Sequence, residues 1–554
     1  MHGTDATGSA RSGTAPWWRD AVIYQIYIRS FADGNGDGMG DIAGIRSRLP
    51  YLRDLGVDAL WITPWYPSPQ ADAGYDVADF RDIDPRFGTL AEAEALIAEA
   101  HEHGLRVIPD IVPNHVSDQH VWFRAALAAG PGSPERERFV FRPGRGPDGA
   151  EPPNNWRSAF GGSAWTRAAD PDGSPGEWYL HLFAPEQPDL NWENPEVHAE
   201  FQSVLRFWFD RDVDGFRIDV AHGLVKDADL PDLLDDTSAY PAGAHPHQDR
   251  DAVHEIYRAW RRVADEYPGD RKFVAEAHTP TPDRLANYVR SDRLHTAFNF
   301  DFLRCPWDAD AFREVIDTTT SYLEEVGAPA TWVLSNHDVI RHPSRYGRSL
   351  QEWPYGGRFS AETPLDLELG LRRARAAALL MLALPGGAYV YQGEELGLWE
   401  VEDLPDEVLQ DPIWERSGRT ERGRDGCRVP LPWSGTAPPF GFSPDGSGAE
   451  PWLPQPEEWK EYTARAQDGR PESVLGLYRT ALRLRREHPA LGEGELEWSE
   501  ADEGALSFTR APGFGCVANL SNRPCPLPRG RVLLASGPLE EDRLPPDTAV
   551  WLAL

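Results

Sequence analysis

Three stretches, AVIYQIYI (21–28), DALWIT (58–63) and LRVIPDIV (105–112), set the architecture. Each is a short run rich in β-branched, aliphatic and aromatic residues, the composition of a buried strand. The segments between them have a helical period. Ile42–Leu55 repeats apolar residues at Ile42, Ile45, Leu49 and Leu52, with Pro50 as a complication. Leu90–His103 repeats them at Leu90, Ala93 and Ile97 and meets a helix stop at Gly104. A βαβαβ rhythm implies a parallel sheet with right-handed crossovers.

Working outward, the rhythm breaks at 116–196, a stretch rich in Pro, Gly, Asn and Trp. It is too long for a simple loop and reads as an inserted subdomain. The alternation then resumes, with candidate strands Val213–Asp219, Lys272–Ala275, Thr296–Phe300, Thr331–Ser335 and Ala388–Gln392. Helical segments such as Val253–Tyr267 and Leu369–Ala383 lie between them. Eight alternating units point to an α/β chain with a (β/α)8 TIM barrel. The rival, a doubly wound open sheet, lacks a GxGxxG after an early strand. A last amphipathic helix, Glu472–His488, precedes short strands at Ala505–Thr509, Cys516–Asn519, Arg531–Leu534 and Thr548–Leu552, read as a C-terminal antiparallel β-sandwich. The expected domains are a disordered tail at 1–15, barrel at 16–115, insertion at 116–196, barrel at 197–491 and sandwich at 492–554.

Composition narrows the function classes. The chain has 55 basic and 89 acidic side chains, a formal net charge of −34, and all but three of the basic ones are arginine. No basic face is available for nucleic acid or for an anionic membrane. A neutral substrate, or one met by local cations, is expected; most of the charge reads as a soluble surface. The 21 Trp exceed packing needs, and aromatic surfaces suit sugar rings, although a Trp is more often core than platform. Four cysteines without CxxC spacing argue against zinc and against a disulfide framework. The N-terminus has no apolar core of a signal peptide, and no apolar run reaches the about 20 residues of a membrane helix. A soluble cytoplasmic protein, monomer or homodimer, is expected.

In a barrel the chemistry sits at the C-terminal ends of the strands. Here those ends read Asp110-Ile-Val-Pro-Asn114-His115, Arg217-Ile-Asp219, Glu276 and Asn336-His337-Asp338. A lone carboxylate there is more often a cap or an ion-pair partner. Three of them, each beside Arg or His and converging on one mouth, point to catalysis. The segments DIVPNH (110–115), GFRIDV (215–220), VAEAH (274–278) and SNHD (335–338), with QPDLNW (187–192) as a fifth, resemble the motifs of glycoside hydrolase family 13, the α-amylase family. They come in its order and spacing. The likeness is greatest to the oligo-1,6-glucosidase and α-glucosidase branch and spans Trp17 to Leu554.

The resemblance implies a retaining, exo-acting α-glucosidase working on short oligosaccharides through a glycosyl-enzyme. Retention needs two carboxyl groups about 5–5.5 Å apart. By resemblance Asp219 is the nucleophile, Glu276 the acid/base, and Asp338 a third acid that holds sugar hydroxyls. Arg217, two residues before Asp219, faces the same side of the strand and would favour the ionised nucleophile. His115 and His337 resemble sugar-hydroxyl ligands, while Asp110 and Asn114 brace the mouth. In Gly74-Tyr75-Asp76 the Tyr would stack on the sugar ring and Asp76 bind its non-reducing end, paired with Arg428 of RDGCRVPLPW (424–433). Phe160 is either a pocket wall or insertion core. Val220 after the nucleophile goes, in this branch, with α-1,6 cleavage. His222 is unusual there, and Ala277-His278 stands where the family more often has Val-Trp; both departures border the aglycone side.

Asp33-Gly-Asn35-Gly-Asp37-Gly38-Met39-Gly-Asp41 reads as a calcium-type loop. Oxygen ligands alternate and Gly38 allows a sharp turn, but Gly44 stands at the EF-hand's twelfth position. Asp33, Asn35, Asp37, the Met39 carbonyl and Asp41 would hold one structural Ca2+ or Mg2+, as the resemblance also implies; the alternative is an ion-free Asp/Gly turn. The competing functions are a transglucosylase or disaccharide isomerase (trehalose or sucrose type), and a non-catalytic barrel subunit, which would lack the three carboxylates.

Overall fold

A computed structural model describes residues 15–348, 363–492 and 495–554. The expected tail, apart from Ala15, lies outside them. Its centre is an eight-stranded parallel sheet built from β1 (Val22–Ile26), β2 (Ala59–Ile62), β3 (Arg106–Ile111), β7 (Gly215–Ile218), β8 (Lys272–Ala275), β9 (Thr296–Ala297), β10 (Thr331–Val333) and β11 (Gly387–Tyr391). Strand β1 pairs with both β2 and β11, and β3 pairs with β7 across the insertion. The seam between β9 and β10 is bridged by the Thr331 hydroxyl, which donates to the Ala297 carbonyl. The sheet therefore curls into a nearly closed barrel.

Helices form where periodicity placed them. Ile42–Leu55 starts at Asp41, whose carboxylate accepts the Gly44 amide, and stops at Gly56, which takes φ 97°. Pro50 is tolerated inside it, because burial of Ile42, Ile45, Leu49, Leu52 and Leu55 outweighs one lost backbone bond. Leu90–Glu102 opens with a Thr89/Glu92 capping box. The expected strand Thr296–Phe300 ends early, at Ala297. The Asn299 side chain accepts the Phe302 amide and starts a short helix, Phe300–Arg304, so the residues after β9 turn into the barrel mouth.

The insertion carries a helix, Val121–Ala129, and a small antiparallel sheet of β4 (Phe141–Arg142), β5 (Trp165–Ala169) and β6 (Pro175–Leu180), in the order β4–β6–β5. Trp156, Trp165, Leu180 and Leu182 pack beneath it with Leu230, from the segment after β7. At the C-terminus, β12 (Leu496–Trp498), β13 (Ala505–Arg510), β14 (Phe514–Asn519), β16 (Arg531–Ala535) and β18 (Thr548–Ala553) make one antiparallel sheet. β15 (Cys525–Pro526) and β17 (Arg543–Leu544) make a ribbon over it. One sheet face meets that ribbon through Val517, Val550, Leu552, Cys525 and Leu544. Trp551 and Arg510 donate to carbonyls of the barrel helix Leu367–Ala383. No helix among the described residues is long and apolar enough to cross a membrane.

Candidate active site

The sheet itself assembles the carboxylates. Register sets Asp110 of β3 beside Arg217 of β7. The ladder runs one step beyond the strands: the Asp219 amide donates to the Ile111 carbonyl and the Glu276 amide to the Ile218 carbonyl. Adjacent parallel strands thus end, side by side, in Asp219 and Glu276. Arg217 is fully buried at the centre. Its Nη1 lies 2.7 Å from Asp110 Oδ1 and 2.6 Å from Asp219 Oδ1, and its Nη2 lies 2.8 Å from Glu276 Oε2. Trp61 Nε1 donates to the other oxygen of Asp110 at 2.8 Å, so Asp110 is a brace. Glu276 Oε2 also accepts the Val220 amide, at 3.0 Å.

Three carboxyl groups around one guanidinium cannot all ionise cheaply. Burial pushes the Asp219 carboxyl up; Arg217 opposes this, and Glu276 and Asp110 add to it. Burial likewise lifts Asp110 to about 6 against the pull of Arg217. The cluster can therefore retain a proton near neutrality while one acid is ionised against Arg217, the state that nucleophile-plus-acid chemistry requires. Asp338 is set differently. Burial would raise it, but the charges around it, those of His337, Arg424 and Arg428, hold it well below the ordinary carboxylate range. Burial keeps His337 itself neutral, so the arginines are the charges that count. Arg428 Nη2 is 2.9 Å and Arg424 Nη1 3.0 Å from Asp338 Oδ1.

Asp219, Glu276 and Asp338 line a cavity of ≈ 630 Å³ with Asp72, Tyr75, His115, Phe160, Phe183, Val220, His222, His278, Arg304, His337 and Arg424, among others. Tyr75 stacks on His337, ring centroids 5.4 Å apart, and its hydroxyl pairs with Nε2 at 2.7 Å. Phe160 belongs to the wall, with the Arg424 guanidinium 5.3 Å from its ring. His115 lines the cavity too, and Gln187 of the QPDLNW segment spans from His115 Nε2 (3.0 Å) to Asp72 Oδ2 (3.2 Å). Among the described residues no tryptophan lines it; eight of the largest fully buried side chains there are Trp, which serve as core.

Two expected residues stand elsewhere. Asp76 does not reach the cavity. After Gly74, at φ 101°, its carboxylate turns inward and accepts the amides of Ala71 and Asp72. Desolvation pushes it up to about 6. Arg428 does not pair with it, but lies behind Asp338 and donates through Nε to the His337 carbonyl at 2.8 Å. The acid–arginine pair that does line the cavity is Asp72–Arg424 (2.9 Å), and Arg424 also holds Asp411 at 2.5 Å. Both residues stand four before the expected ones, in DAGYD and RDGCR, where either acid and either arginine satisfies the local pattern. Arg304, Asp411 and Phe183 gave no sequence signal.

Val220 takes φ 44°, in the left-handed region that β-branched residues avoid, at a cost of about 1–3 kcal/mol. The hydrogen bond its N–H donates to Glu276 helps hold that conformation in the site. His222 lies in the wall, edge-on to His278 with centroids 5.3 Å apart.

The Asp33–Asp41 loop lies apart, against Phe442 and Trp452. Its acids accept mainly backbone amides: Asp33 those of Asn35, Gly36 and Gly38; Asp41 those of Gly34, Asn35 and Gly44; Asp37 that of Met39 and the Asn35 side-chain NH2. With about four acceptor sites per carboxylate, each keeps at least one for a cation, and the all-oxygen set fits a hard ion. Among the described residues none of the three has a side-chain cation partner, and no three acid, His or Cys side chains converge as a ready-made cage. Asn35 and the Met39 carbonyl would have to complete it.

A family profile described as the α-amylase catalytic domain matches residues 25–494. A probable α-glucosidase of Rhizobium meliloti (strain 1021) is 38% identical over 94% of this chain and 92% of its own. An oligo-1,6-glucosidase of Parageobacillus thermoglucosidasius is 35% identical over 90% and 88%. Among solved structures, an α-glucosyl transfer enzyme, XgtA, superposes with TM-score 0.84 at 35% identity, covering 97% of this chain and 99% of that one. The trehalulose synthase MutB of Pseudomonas mesoacidophila MX-45 does so with TM-score 0.84 at 29%, with the same coverage.

Proposed function

Because the chain belongs to the α-amylase family of glycoside hydrolases, we infer that it is a retaining exo-α-glucosidase releasing terminal glucose from short α-linked oligosaccharides. The observation that carries this is the shared guanidinium: Asp219 and Glu276 sit on the two terminal nitrogens of Arg217. That arrangement favours the close pair, about 5–5.5 Å apart, used for retention.

In the first step an ionised Asp219 oxygen attacks the anomeric carbon. The glycosidic bond breaks, its electron pair leaves with the aglycone oxygen, and Glu276 gives that oxygen a proton. In the second step water attacks the same carbon, its proton goes to Glu276, and the ester electrons return to Asp219. Asp338, kept ionised by two arginines, accepts hydrogen bonds from sugar hydroxyls. Tyr75 and His337 form one wall for the ring, and His115 lines the same cavity. Asp72 and Arg424 supply an acceptor and a donor for the hydroxyls of the non-reducing end. Their ion pair in the cavity wall offers a charged end for a single non-reducing glucose, which supports exo action. Val220 supports α-1,6 bonds as the preferred linkage.

A structural Ca2+ or Mg2+ in the Asp33–Asp41 loop would tie its turns together, away from the chemistry. Disaccharide isomerisation is the second reading, favoured by likeness to a trehalulose synthase along nearly the whole chain. Incubation with maltose, isomaltose, sucrose and trehalose separates the two: free glucose is expected, fastest from isomaltose. Equimolar conversion to a new disaccharide without glucose would replace hydrolysis by isomerisation.

A further inference from the structure

The two oxygens of Glu276 have different surroundings. Oε2 is engaged by Arg217 Nη2 at 2.8 Å and by the Val220 amide at 3.0 Å. A proton on Oε2 would face two donors, so the acid proton belongs on Oε1. Oε1 faces His278 Nε2 at 3.9 Å, beyond hydrogen-bond reach. Two atoms at that separation can both reach one oxygen placed about 2.8 Å from each. His278 follows Glu276 by two residues and lines the same cavity. Its ring is fixed: it stacks on Phe300 with centroids 4.1 Å apart and planes 21° apart, and His222 meets it edge-on. Burial, with the Arg304 charge adding to it, pushes the imidazole down to about 4, so it is neutral and no second acid.

We propose that His278 Nε2–H and Glu276 Oε1 form a two-point cradle for the oxygen that leaves and for the oxygen that arrives. The proposal rests on the glucosidase reading above. As the glycosidic bond breaks, the departing oxygen accepts the Glu276 proton and the His278 hydrogen bond. As water attacks, its oxygen accepts the His278 hydrogen bond and its proton passes to Glu276. His278 donates in both steps and does not change its protonation. Its advantage is greatest when the leaving oxygen is a sugar alkoxide, which develops charge it cannot spread.

The test compares wild type, His278→Phe and His278→Asn on isomaltose and on 4-nitrophenyl α-glucoside. Phe keeps a ring against Phe300 and loses the donor; Asn restores an N–H. His278→Phe is expected to lower kcat/KM for isomaltose about tenfold, the worth of one hydrogen bond to a charging oxygen, and to leave the aryl glucoside within about twofold. His278→Asn should recover at least half of the logarithmic loss. An isomaltose loss below twofold, an equally large loss on the aryl glucoside, or no recovery with Asn overturns the cradle. If wild type cleaves neither substrate, the glucosidase reading falls instead.

Discussion

The barrel mouth and the Asp33–Asp41 loop are both dense in acids, but they compensate their charge by opposite means. At the mouth six acids meet guanidinium: Asp110, Asp219 and Glu276 share Arg217, while Asp72, Asp338 and Asp411 share Arg424. In the loop the donors are backbone amides and one Asn, which carry partial charge only. Fixed arginines poise some carboxyls to ionise and leave others sharing a proton, which is the condition for acid/base work. A loop with uncompensated carboxylates has no such poise and instead favours a bound cation. Acid density alone therefore says little; the counter-charge tells catalysis from scaffolding.

The largest test of that contrast is Asp219→Ala, which should lower kcat on every substrate by at least about 10^4-fold. Activity within tenfold of wild type would remove Asp219 from the chemistry. Next comes the pair behind the glucose. Arg424→Ala or Asp72→Ala should cost on the order of 10²-fold in kcat/KM, because truncation strands a buried charge. Asp76→Asn should lower Tm and leave kcat/KM within about threefold; the reverse ranking would return Asp76 to the pocket. In the loop, a chelator or Asp37→Ala should lower Tm by a few degrees, with kcat/KM unchanged and chelator sensitivity lost in the variant. A Tm indifferent to chelator and to added Ca2+ would leave the loop ion-free.

The smallest effect concerns acids with a third kind of compensation, burial as neutral groups. Desolvation lifts Glu394 and Glu400, behind β11, to about 8. The unfolded chain releases these protons near pH 4.5, so the folded state holds more protons between about pH 4.5 and 8, and stability falls as pH rises across that window. Glu400→Gln should shrink the Tm difference between pH 5.5 and 8 by a few degrees; an unchanged difference would show that Glu400 is ionised when folded.

Much of this was legible in the sequence, for local reasons. Strand runs, caps such as Thr89 and Gly56, and carboxylates at strand ends all follow from near-neighbour pattern. What was illegible depends on distant partners. Arg424 and Asp72 are 352 residues apart, and only the folded turn at Gly74 tells Asp72 from Asp76. The strand after Val274–Ala275 looked longer than it is, because Asn299 reads equally as a strand residue and as a cap. Tryptophan abundance left platform and core both open; among the described residues the phenyl and phenol rings lining the cavity are Tyr75, Phe160 and Phe183.

The direct measurement is peptide mass spectrometry after brief incubation with a fluorinated α-glucosyl fluoride, which slows hydrolysis of the glycosyl-enzyme. The account predicts one fluoroglucosyl adduct, on the peptide containing Asp219 and at that residue. No adduct during turnover, or an adduct on Glu276 or Asp338, would contradict it.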